Sequence, residues 1–135
     1  MENNHCDVVI GSRFITKTGF QSTILRRVGI YYFSFLIRLL TRYKITDCTS
    51  GFRLYNKKAL EILKESYPDE YPEPEAFIIY KKESLNVGEV AVNMEERKGG
   101  ISSISGISSL YYIFKVTLAI LFKFISYKSW KEYRL

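Results

Sequence analysis

At 135 residues the chain has the length of one domain with room for a real core. Its 47% hydrophobic and 25% charged residues exclude a disordered segment. A net charge of +6 calls for an anionic partner. No nucleic-acid-binding module accompanies that charge, so the partner is read as something other than nucleic acid.

Met1 to Asp7 is polar and lacks the basic start of a signal peptide. Cys6 and Cys48 have neither metal-ligand nor redox spacing and read as reduced thiols, and the lone His5 as a solvated side chain. Asp7-Val8-Val9-Ile10-Gly11 is a short apolar run stopped by glycine, which predicts a buried strand. Ser12, Arg13 and Phe14 follow at its carboxyl end, where open α/β sheets place ligands. Ile15 to Ser22 reads as a mobile loop. Thr23 can cap a helix running to about Arg42, on which Leu25, Val28, Tyr32, Phe35, Leu36, Leu39 and Leu40 recur at helical spacing. Arg27, Tyr31, Ser34 and Arg38 form another stripe, a basic polar face that can point to a site. From Val8 to Thr46 there is no Asp or Glu, yet the segment holds Arg13, Lys17, Arg26, Arg27, Arg38, Arg42 and Lys44. Such a run suits lipid phosphate or a nucleotide diphosphate; any one of these cations is equally a solvated helix residue.

Thr46 to Tyr55 concentrates an acid, three Ser and Thr hydroxyls, a glycine and an arginine. Asp, Thr and Ser bond nearby backbone amides and favour a tight loop, and Arg53 supplies a fork-shaped cation suited to phosphate or carboxylate. The plainer reading is a capped loop entering an edge strand, Phe52 to Tyr55. Asn56 caps the next helix, Lys57 to Lys64 or Glu65, with Ala59, Leu60, Ile62 and Leu63 inward. Tyr67 to Glu75 holds all three prolines and the carboxylates Asp69, Glu70, Glu73 and Glu75. Pro74 fits the first turn of the following helix, and Glu73 and Glu75 there also favour its dipole, a purely structural role. That helix continues from Ala76 to Ser84. Val87 to Met94 alternates as a strand. Arg97 to Ile104 mixes cations, glycines and hydroxyls that can wrap phosphate. A last apolar element, Ile107 to Tyr127, is interrupted by Lys115 and Lys123. About 20 mainly apolar residues are wanted for a bilayer span, so this element reads better as a helix in the membrane interface, or else as one packed on the domain or on a partner.

Taken in order, several stretches resemble the C-terminal half of family 2 glycosyltransferases. They are Asp7 to Phe14, Arg26-Arg27, Asp47 to Tyr55, Tyr71-Pro72-Glu73-Pro74-Glu75, Glu89 to Val92, and Arg97 to Ser103. The likeness is closest to bacterial polysaccharide enzymes related to dolichyl- and polyprenyl-phosphate sugar synthases. It implies an α/β, partial GT-A fold: the acceptor half of a mixed sheet flanked by helices, over residues 1–106. A C-terminal amphipathic, membrane-interface helix and basic tail would occupy 107–135. The family's donor half and Asp-x-Asp motif are expected before Asp7, and no Asp-x-Asp occurs in this sequence. The Mg or Mn ion expected for the family would therefore find its usual ligands elsewhere.

By resemblance, Arg13 lies near the donor and acceptor phosphates, and Arg27 (or its neighbour Arg26) holds the lipid phosphate. The loop with Asp47, Ser50, Gly51 and Arg53 lines the acceptor side. Asp47 and Glu75 are the candidate catalytic carboxylates, Glu75 as general base with Glu73 as second choice and substrate contact. Arg97, Ser102 and Ser103 belong to a segment that closes over the diphosphate. The implied partners are a nucleotide-sugar, a polyprenyl-phosphate or glycan acceptor, and the cytoplasmic face of a membrane, held peripherally. A donor-half chain or homo-oligomer would complete the assembly. The expected activity is sugar transfer in cell-surface polysaccharide synthesis, with the isolated chain inactive. The alternative is a non-catalytic lipid-phosphate-binding or regulatory partner of a full-length enzyme.

Overall fold

The computed structural model describes residues 6–19, 23–66, 72–95 and 107–132. β1 (Val8–Ser12) is the middle strand of three, between β2 (Arg53–Tyr55) and β3 (Val87–Ala91). Its β-branched run favours the extended state, and Val8 and Ile10 are fully buried. β2 pairs antiparallel with β1 (Val9 opposite Leu54), whereas β3 pairs parallel (Val8 beside Val87, Ser12 beside Ala91). The sheet is therefore mixed, and its helices make the architecture an α/β, partial GT-A fold.

Among the described residues four helices accompany the sheet: α1 (Ile24–Thr41), α2 (Lys57–Ser66), α3 (Pro72–Lys82) and α4 (Ile107–Glu132). Thr23 caps α1 by accepting from the Arg26 amide, and Arg42 closes it in the left-handed region at φ 67°, donating to Arg38 O. Asn56 caps α2 through the Ala59 amide at 2.8 Å. α3 begins at Pro72 and carries Pro74 in its first turn, where a missing N–H costs nothing. The core joins Ile10, Phe33, Ile37, Phe77, Tyr80, Val116 and Ile120 from sheet and helices.

Two expectations about inward faces need correction. On α1 the buried side is Gly29, Ile30, Phe33, Ser34, Ile37 and Thr41, whereas Leu25, Val28, Tyr32, Phe35 and Leu39 are exposed. Large apolar residues lie on more than one side of this helix, so periodicity finds its pitch but not its inner face. Ser34 decides that face: its hydroxyl donates to Thr46 O and accepts from the Cys48 amide beneath the polar loop. On α2, Leu60 also faces outward, while Ala59 and Leu63 are buried. Of the expected mobile loop after Phe14, Ile15 to Gly19 is described and Gly19 bridges to Met94; the rest lies outside the described residues.

Asp7 fastens the start of β1 to both its neighbours. Its carboxylate accepts from the Asn86 amide and the Asn56 side chain, each at 2.8 Å, and from Lys58 at 3.4 Å. These donors, the Asn86 amide foremost, hold its pKa below the ordinary 3.8. The stabilisation is thus full above that ordinary value and disappears as pH falls through the lowered one. Asp7→Ala should cost about 2–3 kcal/mol at neutral pH, and thermal melts of variant and parent should converge as pH falls below the ordinary carboxylate value and through the lowered one.

Candidate functional site

The carboxyl end of β1 meets the loop from Thr46 to Arg53, and the contact is built around one ion pair. The fully buried Asp47 carboxylate accepts from Arg13 Nε at 2.7 Å and Nη2 at 2.8 Å. The Arg13 backbone amide and Thr49 Oγ1 also donate to it, each at 3.3 Å. This bidentate fork raises the Arg13 pKa still further, so the guanidinium is permanently charged. The pair uses Nε and Nη2 and leaves Nη1 outside it.

The loop is held from two further sides. Glu89 on β3 accepts from the amides of Thr46 and Asp47, both at 2.9 Å, and from the Thr46 hydroxyl, which also bonds Ser12 Oγ at 2.7 Å. Arg53 turns inward from β2: Nε donates to Ser50 O, Nη2 to Cys48 O and Nη1 to the Tyr80 hydroxyl, at 2.8–3.0 Å. Its guanidinium stacks over Phe77 at 5.0 Å. Both features of Arg53 are those of a structural clamp. Ser50 is buried, its hydroxyl accepting from the Phe52 amide, while Gly51 is exposed.

A cleft of about 240 Å³ opens beside this cluster, between α1, the start of α3 and α4. Arg13 and Thr49 form its polar end, with Arg26 on its wall. Leu25, Ile30, Phe33, Tyr112 and Ile113 supply the apolar remainder. Arg26, not Arg27, lines this space; Arg27 is half-buried at the next helical position. Pro74 reaches the cleft, but the next residue, Glu75, turns to α4 and accepts from Lys123 Nζ at 3.1 Å while itself buried. The Glu73 side chain and Arg97, Ser102 and Ser103 lie outside the described residues.

Sequence reasoning did not assign a role to Glu89 or Thr46. A signal for Glu89 was present: strand alternation puts it on the same side as Val87, a carboxylate on a sheet face turned to the core. Among the described residues no three of His, Cys, Asp and Glu gather as they would around a metal. These residues do not fit a divalent cation.

The chain is similar to glycosyltransferases. It is 39% identical over 93 residues to the UDP-N-acetylglucosamine–dolichyl-phosphate N-acetylglucosaminyltransferase of Methanococcus voltae, a match covering 67% of this chain and 37% of that protein. It is 27% identical over 110 residues to the dolichyl-phosphate beta-glucosyltransferase ALG5D of Trichomonas vaginalis, covering 78% and 34%. An uncharacterized Methanocaldococcus jannaschii protein is 32% identical over 89 residues, covering 64% and 37%. The matched stretch is thus about a third of the length of these relatives. They support a dolichyl-phosphate glycosyltransferase likeness, broader than the bacterial polysaccharide group. No family model and no solved structure matches the chain.

Asp47→Asn removes the charge that compensates Arg13. A broken buried pair costs about 3–5 kcal/mol, which the partial exposure of Arg13 reduces to roughly 2–4 kcal/mol, measurable by denaturant melts. Cys48 offers a second check. Burial pushes its thiol up to about 12, so at pH 8 a disulfide reagent should titrate Cys6 in the native protein and Cys48 only after unfolding.

Proposed function

We propose that the chain provides the lipid-phosphate side of a sugar transferase, one that moves a sugar from a nucleotide-sugar to a polyprenyl phosphate of the dolichyl type. One observation carries this reading: the cleft joins a fixed guanidinium, Arg13, to apolar walls from α1 and α4. An acceptor with an ionised phosphate head and a hydrocarbon tail matches that division. The dolichyl-phosphate enzymes among the relatives point the same way.

The chemistry then falls to positioning. At neutral pH the acceptor phosphate is already ionised, so its oxygen attacks the sugar's anomeric carbon without a base, and the nucleotide diphosphate leaves. Arg13, oriented by Asp47 and Thr49, holds the phosphate; Arg26 adds a second cation at the wall. Glu75, paired with Lys123, anchors α4 in this scheme and takes no proton. A glycan hydroxyl as acceptor would need such a base, which makes it the weaker alternative. The nucleotide-sugar site and the metal ligands expected for this class belong to sequence outside this chain, and the chain alone does not transfer sugar.

The helical layer supplies the membrane contact. α4 is about 39 Å long at 1.5 Å per residue, and Leu110–Ser129 is long and apolar enough to cross a bilayer. Val116, Ile120 and Lys123 nonetheless dock it on the domain, while Leu110, Phe114, Leu118, Phe122 and Ile125 face outward. Phe35 and Leu39 of α1 are outward too, and Tyr32 bonds Thr117 across the two helices at 3.1 Å. This two-helix apolar surface with basic flanks lies in the interface of a membrane, peripherally, on the cytoplasmic side where the free thiols stay reduced. A non-catalytic lipid-phosphate binder is the second reading, for which the same pairing of Arg13 with apolar walls would serve.

Flotation with liposomes containing dolichyl phosphate, against liposomes with dolichol, tests the site. The phosphate should strengthen binding, and Arg26→Gln, at an exposed position, should weaken it roughly tenfold, as one charge-assisted contact is worth about 1.5–3 kcal/mol. Equal binding to both vesicles would sink the proposal.

A further inference from the structure

Glycine is a poor helix former, yet Gly29 stands buried inside α1. The backbone does not call for it: Gly29 lies in regular helix and has no positive φ, unlike Gly19 at 73°. Close packing does not call for it either. A methyl group at Gly29 would meet Ile113 Cδ1 at 3.8 Å, an ordinary van der Waals distance, and among the described residues no other atom of a neighbouring element within 4 Å. The space that a larger side chain would fill is the cleft beside Arg13, which Gly29 lines.

Neighbouring contacts keep that space open. Arg26, Gly29, Ile30 and Phe33 share one side of α1 at helical spacing, so the cleft follows the helix for about 10 Å. α4 cannot slide in to close it. Tyr32 Oη bonds Thr117 Oγ1 at 3.1 Å, and the Phe33 ring meets Tyr112 edge-on at 6.4 Å between centroids. The two helices are thus spaced by a hydrogen bond and an aromatic pair, and the missing side chain between them leaves a gap.

We infer that Gly29 sets the bore of the cleft, and that this bore selects single-chain, prenyl-type lipid phosphates over two-chain phospholipids with the same head. The ligand's identity rests on the lipid-phosphate reading proposed above. A phosphatidate also carries a phosphomonoester, so Arg13 and Arg26 do not tell the two apart by charge. Width does: the room left by one side chain passes one hydrocarbon chain between Gly29 and Ile113, and a second chain would have to part α1 from α4. At about 240 Å³ the cleft is smaller than the roughly 300–1,000 Å³ of sites that enclose a drug-sized ligand. It therefore holds the phosphate and only the carbons nearest to it. Leu25, at the cleft and 56% exposed, leads the rest of the tail out towards the apolar outer side of α1.

Titration calorimetry on the full chain tests this with inorganic phosphate, geranyl phosphate and dihexanoyl phosphatidate. Every ligand is compared across variants in the same non-ionic detergent, so its partition into micelles cancels. In the parent, geranyl phosphate should bind roughly tenfold more tightly than inorganic phosphate, and phosphatidate no more tightly than inorganic phosphate. Gly29→Leu should abolish the gain from the geranyl chain and leave inorganic phosphate bound as before. Gly29→Ala should remove part of that gain and raise the melting temperature by a few degrees, because alanine is the better helix former. Four results would overturn the inference and leave the proposed function standing. They are phosphatidate bound as tightly as geranyl phosphate, a geranyl gain untouched by Gly29→Leu, an equal loss of both phosphates in that variant, and a lower melting temperature for Gly29→Ala. A parent chain that binds neither inorganic nor geranyl phosphate would remove both.

Discussion

The Arg13–Asp47 pair is the constraint on which the site depends. Asp47 has no exposed surface, and a carboxylate so placed is tolerated only if its lone pairs are filled. Arg13 fills them with a rigid fork, and in doing so fixes its own direction at the end of β1. The pair therefore works in both directions: the loop needs the cation to stay buried, and the cation needs the loop to face the cleft. Lysine at position 13 would satisfy the charge but lose the two-point geometry.

Glu89 and Arg53 extend that logic to the sheet. Each comes from a strand flanking β1, and each binds backbone groups of the same loop. Loop, three strands and α3 are thus locked as one unit, with the donors of Arg13 outside its pair as the chemistry left over. Arg53 shows how residue type misleads when taken alone. A fork-shaped cation beside a polar loop reads as a phosphate binder, yet here its donors go to two carbonyls and a tyrosine hydroxyl, over an aromatic ring.

Much of the framework was legible because its signals are local. Thr23, Asn56 and Pro74 act within one helical turn of themselves, so the elements they open could be placed from sequence, and the run from Val8 reads as a strand in any context. What was not legible lies across long separations. Arg13 and Asp47 are 34 positions apart, Thr46 and Glu89 are 43 apart, and Glu75 and Lys123 are 48 apart. Each pairing is created by the fold and leaves no periodic trace. The inner face of α1 failed for a related reason: its outward side is apolar as well, and only tertiary contact distinguishes the two.

That second apolar side is informative in itself. A helix buried in a soluble core has no reason to keep Phe35 and Leu39 in water. α4 repeats the pattern on its outer side, where Leu110, Phe114, Phe122 and Ile125 are exposed while Lys123 turns to Glu75. Placing a charge inside and hydrocarbon outside inverts the usual order, and the inversion is favourable only where the outer solvent is itself apolar. Under the proposed function the outward sides of α1 and α4 meet the membrane, and the Arg13 cleft opens beside those helices.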